Sequence, residues 1–162
     1  MTIMQWRKSN MPPIDITDRL SACTEEEDKD IFSLRDSGTP SRATVAVKPR
    51  KCQKIKVDGG LNEIQPEKCD WCIRDKSNGE CLFVELKGSD CKHAAAQIVN
   101  TIKWFKTNTT PFISHKKAYI VANGQIPHNK SKDQIAIARF ADTVGVNFVL
   151  KRSPAQLKFE NI

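Results

Sequence analysis

The residues best suited to chemistry lie in one short stretch, CDWCIRDKSNGECLFVELKGSDCKHAAAQ, residues 69–97. It contains Asp70, and then Glu85 and Lys87 two residues apart within an apolar run. Two carboxylates and a lysine suit hard-cation chemistry, because Mg²⁺ prefers oxygen ligands and a neighbouring lysine can orient or help to deprotonate the attacking water. The stretch also holds four of the chain's six cysteines, so a zinc site is the competing interpretation.

The spacing of strand signals predicts how these residues meet. Asn-Gly at 78–79 separates two strand-like segments, which predicts a β-hairpin with a two-residue turn. In that register Asp70 lies opposite Lys87 and diagonal to Glu85, with about 7–8 Å between the two acidic backbones. Side chains alternate along a strand, so all three share one face. The opposite face then carries Leu82, Val84 and Leu86.

Two interpretations of this hairpin remain open. Carboxylates at such a separation can bind one cation between them. The alternative is a cross-strand salt bridge between Asp70 and Lys87, with Glu85 in solvent. Two charges in the middle of CLFVELKG favour the functional interpretation, because a pure core strand would not place them there.

The cysteines fit zinc less well. Cys69 and Cys72 are three residues apart, so on a strand they would point to opposite faces, whereas the sulfurs of a zinc Cys-x-x-Cys converge in a tight turn. Cys81 and Cys91 do not form a second pair at a zinc-finger spacing. We therefore expect reduced, buried, structural cysteines.

The elements around the stretch predict an α/β fold with a mixed central β-sheet flanked by helices. Strands are predicted at ATVAVK, KIKVDGG, KCDWCIRD, CLFVELKG, KAYIVANGQI and VNFVLKRS. Helices are predicted at SDCKHAAAQIVNTIKWFK, capped by Ser89, and at KSKDQIAIARFADTVG, which ends at Gly145. In the first of these helices one apolar stripe consists of Ala95, Ile98, Ile102 and Phe105.

The chain divides into an N-terminal segment, residues 1–42, and a core domain, residues 43–162. The segment contains loop signals and one or two short helices within DITDRLSACTEEEDKDIFSLRDSG, with Asp15 or Thr17 as the N-cap. The acidic run Glu25–Asp28 is interpreted as a solvated helix face.

The charge distribution favours a polyanionic partner. The net charge is +7, and residues 111–162 hold 8 basic and 3 acidic residues. Candidate phosphate contacts are Lys116, Lys117, Lys130 and Lys132, together with Lys151 and Arg152. A solubilising basic surface is the alternative. No apolar run is long enough to span a bilayer, and the N-terminus has no secretory pattern, so a cytoplasmic protein that contacts no membrane is expected.

The combination of Asp70 with Glu85-x-Lys87 on the next strand resembles the PD-(D/E)XK superfamily of restriction-endonuclease-like nucleases. FVELKGSD followed by a helix with Gln97 is particularly similar to the resolvase and exonuclease-type members. The order of elements over residues 15–125 is similar to that family's αβββαβ core, here followed by a C-terminal helix and strand. The strand ATVAVK is an addition, and Cys69 stands where the motif usually has proline.

The resemblance implies a role for each residue. Asp70, Glu85 and the backbone carbonyl of Leu86 would bind Mg²⁺, for which Mn²⁺ can substitute. Lys87 would position the attacking water, and Gln97 would support the lysine or contact the substrate backbone. An upstream acid often completes such a site. The candidates are Asp58, Glu63 and the acidic run near Glu25.

The function expected from these residues is Mg²⁺-dependent hydrolysis of phosphodiester bonds in DNA, as an endonuclease or an exonuclease, with RNA as the other substrate class. Restriction, phage defence and DNA repair are the settings compatible with it. The alternatives are a non-catalytic nucleic-acid- or protein-binding subunit on the same fold and a zinc-stabilised interaction module. A homodimer or a complex with a partner protein is compatible with each of these functions.

Overall fold

The structure, a computed structural model, describes residues 16–128 and 130–160. Within them are three helices, α1 (Ile16–Ala22), α2 (Cys91–Asn108) and α3 (Lys132–Val144). The strands are β1 (Thr24–Glu27), β2 (Ile31–Asp36), β3 (Thr39–Ala46), β4 (Cys52–Lys56), β5 (Trp71–Asp75), β6 (Glu80–Lys87), β7 (Ile113–Ser114), β8 (Lys117–Ala122), β9 (Asn147–Arg152) and β10 (Ala155–Lys158).

Two sheets contain these strands. The larger has the order β1-β4-β5-β6-β8-β9, with the short β7 also paired to β6. Strands β1, β4, β5 and β6 are antiparallel to their neighbours, whereas β6, β8 and β9 run parallel. The smaller sheet has the order β10-β3-β2. The prediction of an α/β fold with a mixed sheet is therefore confirmed.

The larger sheet is covered differently on its two faces. On one face, the predicted stripe of α2, including Ile98 and Phe105, packs against Phe83 and Cys72 of the sheet. On the other, the smaller sheet packs Phe32 and the other apolar side chains of its strands over the sheet residues Ile73, Leu82, Val84 and Leu86. The helical spacing of apolar residues in the sequence predicted the α2 layer. On the other face the sequence predicted helices, but the covering layer is a sheet.

The N-terminal region differs from the expectation of short helices. Within residues 16–42, only Ile16–Ala22 is helical, with Thr17 inside the helix, while Asp15 lies outside the described residues. The first three residues of the acidic run, 25–27, lie in β1, and IFSLRD alternates buried and exposed residues as β2. Strand β1 pairs with β4, where Lys54 Nζ lies 2.8 Å from Glu26 Oε1. Cross-strand charge pairs of this kind stabilise a strand that its own residue types disfavour.

The proposed boundary at residue 42 falls inside β3, which joins β2 and the unpredicted β10 in one sheet. Strand β10 has four residues and follows Pro154. The alternation of buried Ala155 and Leu157 is too short to predict a strand, and it is the parallel pairing with β3 that makes this segment one.

The hairpin that carries the candidate residues has a register different from the predicted one. Trp71 pairs with Val84, so Asp70 comes opposite Glu85 and not opposite Lys87. The reason is a four-residue loop, residues 76–79. Asp75 Oδ1 accepts hydrogen bonds from the N–H and hydroxyl of Ser77, and Asn78 Oδ1 accepts one from Glu80 N. A shift of two residues preserves the alternation, so the predicted face is retained.

The helix termini match the sequence in part. Asp90, and not Ser89, caps α2, since its Oδ1 accepts a hydrogen bond from His93 N at 3.0 Å. Ser131 caps α3, which ends at Gly145 in the left-handed region as predicted. In the part of the chain that the structure describes, no helix is both long and apolar enough to cross a bilayer.

The turn of this hairpin yields a prediction of stability. Gly79 has φ +76°, and a Cβ added there would collide with the backbone carbonyl of Pro111. We expect Gly79→Ala to lower the free energy of unfolding by about 3 kcal/mol, from left-handed strain and overpacking together. Gly145 has φ +68° with open space around it, so Gly145→Ala is the control and should cost only about 1 kcal/mol. Urea unfolding measures both, and equal losses would contradict the steric argument.

Candidate functional site

Asp70 and Glu85 meet at the boundary between β5 and β6. Asp70 N donates a 2.9 Å hydrogen bond to Glu85 Oε1, and Leu86 N donates a 2.8 Å hydrogen bond to Asp70 Oδ2. Each carboxyl group therefore has one oxygen fixed by the backbone of the other strand. The second oxygen of each, Asp70 Oδ1 and Glu85 Oε2, accepts no hydrogen bond from the backbone of the described residues.

Burial makes this pair unusual. Asp70 is 7% exposed and Glu85 is 2% exposed. Burial raises the pKa of Asp70 to about 6, and the charges of Asp36 and Asp58 add to the increase. Burial, followed by repulsion from Asp70, raises the pKa of Glu85 to about 10. The two groups consequently retain a proton between them at neutral pH in the absence of a cation.

Lys87 lies on the same face, as predicted. Its Nζ is 3.4 Å from Glu85 Oε2 and donates a 2.7 Å hydrogen bond to Gln97 Oε1. Gln97 projects from α2 and donates through Nε2 to the carbonyl of Lys68 at 3.1 Å. The amide therefore links the lysine to the segment that precedes Asp70. The ammonium group has a defined position between an acidic oxygen and an amide oxygen.

The upstream acids separate clearly in space. Asp58 lies beside Asp70, because both Val57 N and Asp58 N donate to the Asp70 carbonyl, at 3.0 and 3.4 Å. Glu63 instead forms an ion pair with Arg19 at 2.6 Å. Glu25 lines a larger adjacent cleft and reaches toward Lys54 and Lys56 at 3.9 Å. Of the three candidates, only Asp58 lines the same cavity as the carboxylate pair.

Sequence reasoning missed Asp36. It ends β2 in the smaller sheet, yet it lines the cavity together with Asp58 and Asp70. In the sequence it is the acid of RDSG, and its carboxylate accepts a hydrogen bond from Gly38 N at 3.1 Å. That pattern signals only a turn, and nothing local indicates that two sheets bring it to the site.

The candidate residues surround a small open cavity of about 160 Å³. Its lining contains Asp36, Asp58, Asp70, Glu85, Leu86, Lys87 and Gln97. Asp36, Asp58 and Asp70 also line the neighbouring cleft of about 390 Å³, which extends between β1, β2 and β4. A ligand in the cavity can thus extend into a wider space.

The cysteines do not form a metal centre. All six are free and buried, and among residues 16–128 and 130–160 no group of three His, Cys, Asp or Glu side chains is placed to hold a metal ion. Cys69 and Cys72 belong to the same core cluster, so the expectation of opposite faces was wrong. Cys69 precedes β5 and so escapes the strand alternation. Burial raises the pKa of both thiols, which keeps them protonated.

The predicted phosphate contacts fall at two ends of the larger sheet. Lys116 and Lys117 lie where β8 begins, whereas Lys87 pairs with Ala122 where β8 ends. The structure therefore places these two lysines away from the candidate site. Lys130 and Lys132 follow the end of β8, and Lys151 and Arg152 end the parallel strand β9, so all four lie at the same end as Lys87.

Comparison with known proteins found no match: no family model, no curated protein and no solved structure is significantly similar to this chain.

Proposed function

We propose that this protein is a Mg²⁺-dependent nuclease that hydrolyses phosphodiester bonds of DNA. One observation carries the proposal. Two buried carboxylates, Asp70 and Glu85, share one face of a hairpin with Lys87, whose Nζ is 3.4 Å from Glu85 Oε2. A buried strand is stable without such charges, and desolvating them with no bound ligand costs free energy. Buried charge clusters of this kind are therefore typical of functional sites.

The arrangement of elements supports the same proposal. Helix α1, strands β4, β5 and β6, helix α2 and strand β8 follow in the order αβββαβ, and α3 and β9 come next. Strands β4, β5 and β6 are antiparallel, and β8 returns parallel to β6 after α2. This is the order expected of a restriction-endonuclease-like core, to which β1 and the smaller sheet are additions.

The donor set fits magnesium. Asp70 Oδ1 and Glu85 Oε2 are hard oxygen donors without a backbone partner, and the proton held between the two carboxyl groups is one that a cation would displace. Leu86, whose carbonyl would be the third ligand, lines the same cavity, and so does Asp58. Since no three acidic side chains of the described residues are placed to share one ion, Asp58 would contribute its charge beside the Asp70–Glu85 pair. When bound there, Mg²⁺ would neutralise a phosphodiester and stabilise the charge that develops in its transition state.

The chain's own groups supply positioning. Lys87 is held by Gln97 at 2.7 Å, so its ammonium can orient a water molecule toward a phosphorus atom. Gln97 acts through the lysine, and its second hydrogen bond to the Lys68 carbonyl prevents the amide from rotating.

Removal of the lysine tests the proposed activity. Lys87→Ala should lower the cleavage rate of plasmid and linear DNA by about 100-fold or more in Mg²⁺ or Mn²⁺, because the attacking water loses its orienting group. Lys116→Ala removes the same side chain at the far end of the sheet and should leave the rate unchanged. Wild-type cleavage should disappear in EDTA. A wild type that binds the metal but cuts neither substrate would contradict the nuclease, and would favour the binding subunit.

The raised pKa values predict the pH dependence of metal binding. Carboxyl groups have a pKa near 4 in the unfolded chain, whereas the folded protein raises the pKa of Asp70 and Glu85. The metal-free fold therefore binds more protons than the unfolded chain, and it loses stability as the pH rises above about 4 toward the pKa values of the folded state. Mg²⁺ should therefore raise the melting temperature more at about pH 8 than at about pH 5. At one hundred times its Kd it should add about 2–3 kcal/mol to the free energy of unfolding. Glu85→Gln should abolish this shift and raise the melting temperature of the metal-free protein at alkaline pH.

Differential scanning fluorimetry measures these shifts. Glu63→Gln is the control, because Glu63 pairs with Arg19 outside the cavity and its loss should leave the Mg²⁺ shift intact. A Glu85→Gln protein that retains the full shift would show that Mg²⁺ binds elsewhere.

A further inference from the structure

We infer that the phosphate backbone of DNA approaches the site across the end of β8 and β9, on a basic edge that we define as Arg42, Lys130, Lys132, Lys151 and Arg152. The inference deepens the proposed nuclease function and rests on it. Its basis is the placement of these five residues relative to Lys87 and the distribution of charge on the two sides of the site.

The pairing of parallel strands sets two of the five beside the site. Lys87 pairs with Ala122, and Ala122 pairs with Arg152. Neighbouring strands are about 4.8 Å apart, so Arg152 lies about 10 Å from Lys87 at the backbone. Lys151 occupies the preceding position of β9, next to Val121, so its side chain points to the opposite face of the sheet, on the side of the smaller sheet that carries Arg42. Ser153 N donates to the Ala122 carbonyl at 2.8 Å, which fixes the end of β9.

Arg42 reaches the same edge from the smaller sheet. Its neighbour Ser41 donates a 2.6 Å hydrogen bond to the Lys87 carbonyl, and Arg42 N donates to Ser153 Oγ at 2.9 Å. Arg42 also lies directly opposite Arg35 across β2 and β3, and both are exposed. Like charges in opposite positions are destabilising, so an anion beside them is favoured.

Lys130 and Lys132 are carried by a segment that is fastened to the site. After β8, Asn123 N donates to the Lys87 carbonyl at 3.0 Å and Gly124 N donates to the Gly88 carbonyl at 2.6 Å. The segment then leads to α3, at whose start both exposed lysines stand. The loop therefore starts from the end of β8, next to the end of the strand that carries Lys87.

The other side of the site has the opposite character. There the lysines of β4 and the hairpin are neutralised: Lys54 pairs with Glu26, Lys56 lies within reach of Glu25, and Lys76 pairs with Asp28. In the described part of the chain, none of the five residues of the basic edge forms an ion pair. A polyanion is thus attracted to the β9 side more strongly than to the neutralised β1 side.

The test compares two double substitutions with the same change of charge. Lys151→Gln with Arg152→Gln alters the basic edge, and Lys116→Gln with Lys117→Gln alters the far end of the sheet. Binding of a short fluorescent DNA duplex is measured by anisotropy with Ca²⁺ in place of Mg²⁺. The first pair should raise Kd by about 10-fold or more and lower the salt dependence, d log K/d log[salt], by about 2. The second pair should change Kd by less than about 2-fold.

Lys130→Gln with Lys132→Gln alters the same edge at the start of α3 and should raise Kd by a comparable factor. It serves as the test if the protein with the first pair of substitutions does not fold. Equal losses at both ends of the sheet, no binding of the duplex by the wild type, or tighter binding of the matching RNA duplex would each overturn the inference.

The cleavage assay separates this inference from the nuclease itself. Selective loss of binding at the basic edge in a protein that does not cut DNA supports the edge and contradicts the activity. If the protein cuts DNA but substitutions at the basic edge weaken binding no more than those at the far end, the nuclease is supported and the basic edge is contradicted.

Discussion

Two crossed hydrogen bonds, from Asp70 N to Glu85 Oε1 and from Leu86 N to Asp70 Oδ2, are the constraint on which the rest of this structure depends. They bring two carboxyl groups together in a buried position, where each ion alone would cost several kcal/mol of desolvation. One backbone donor for each group compensates only part of that cost, as the raised pKa of both shows. The arrangement persists because the surrounding layers leave these side chains little access to water outside one small cavity, and it creates a position that a cation would stabilise.

Both layers hold the site directly. From the helical side, Thr101 accepts a hydrogen bond from Cys69 N at 2.9 Å, and Gln97 spans Lys87 and the Lys68 carbonyl. From the opposite side, Ser41 of the smaller sheet donates to the carbonyl of Lys87. The reactive groups therefore sit on strands, which are stiff, and are restrained from two directions. Such support fixes the Lys87 ammonium 3.4 Å from Glu85 Oε2, with Gln97 as its second partner.

The face shared by Asp70, Glu85 and Lys87 could be predicted from the sequence, because strand alternation survives a shift of two residues. The register could not, because side-chain caps from Asp75 and Asn78 lengthen the turn beyond what Asn-Gly indicates. The acidic run was assigned to a helix for a related reason. Its stabilising partners, such as Lys54, lie on the adjacent strand β4, which is close in space but distant along the chain. Contributions from separate sheets, like that of Asp36, have no local signal at all.

Charge shows the same limit most sharply. Lys116-Lys117 and Lys151-Arg152 are equivalent as dipeptides, and sequence counting assigns both to one basic C-terminal third. Parallel pairing separates them, since one pair begins β8 and the other ends β9. Only the second lies at the end of the sheet where the buried carboxylates open to solvent. An acidic centre would itself repel a polyanion, so unpaired cations beside it are what allow a phosphate backbone to approach. The direction of approach is therefore a property of strand polarity and not of composition.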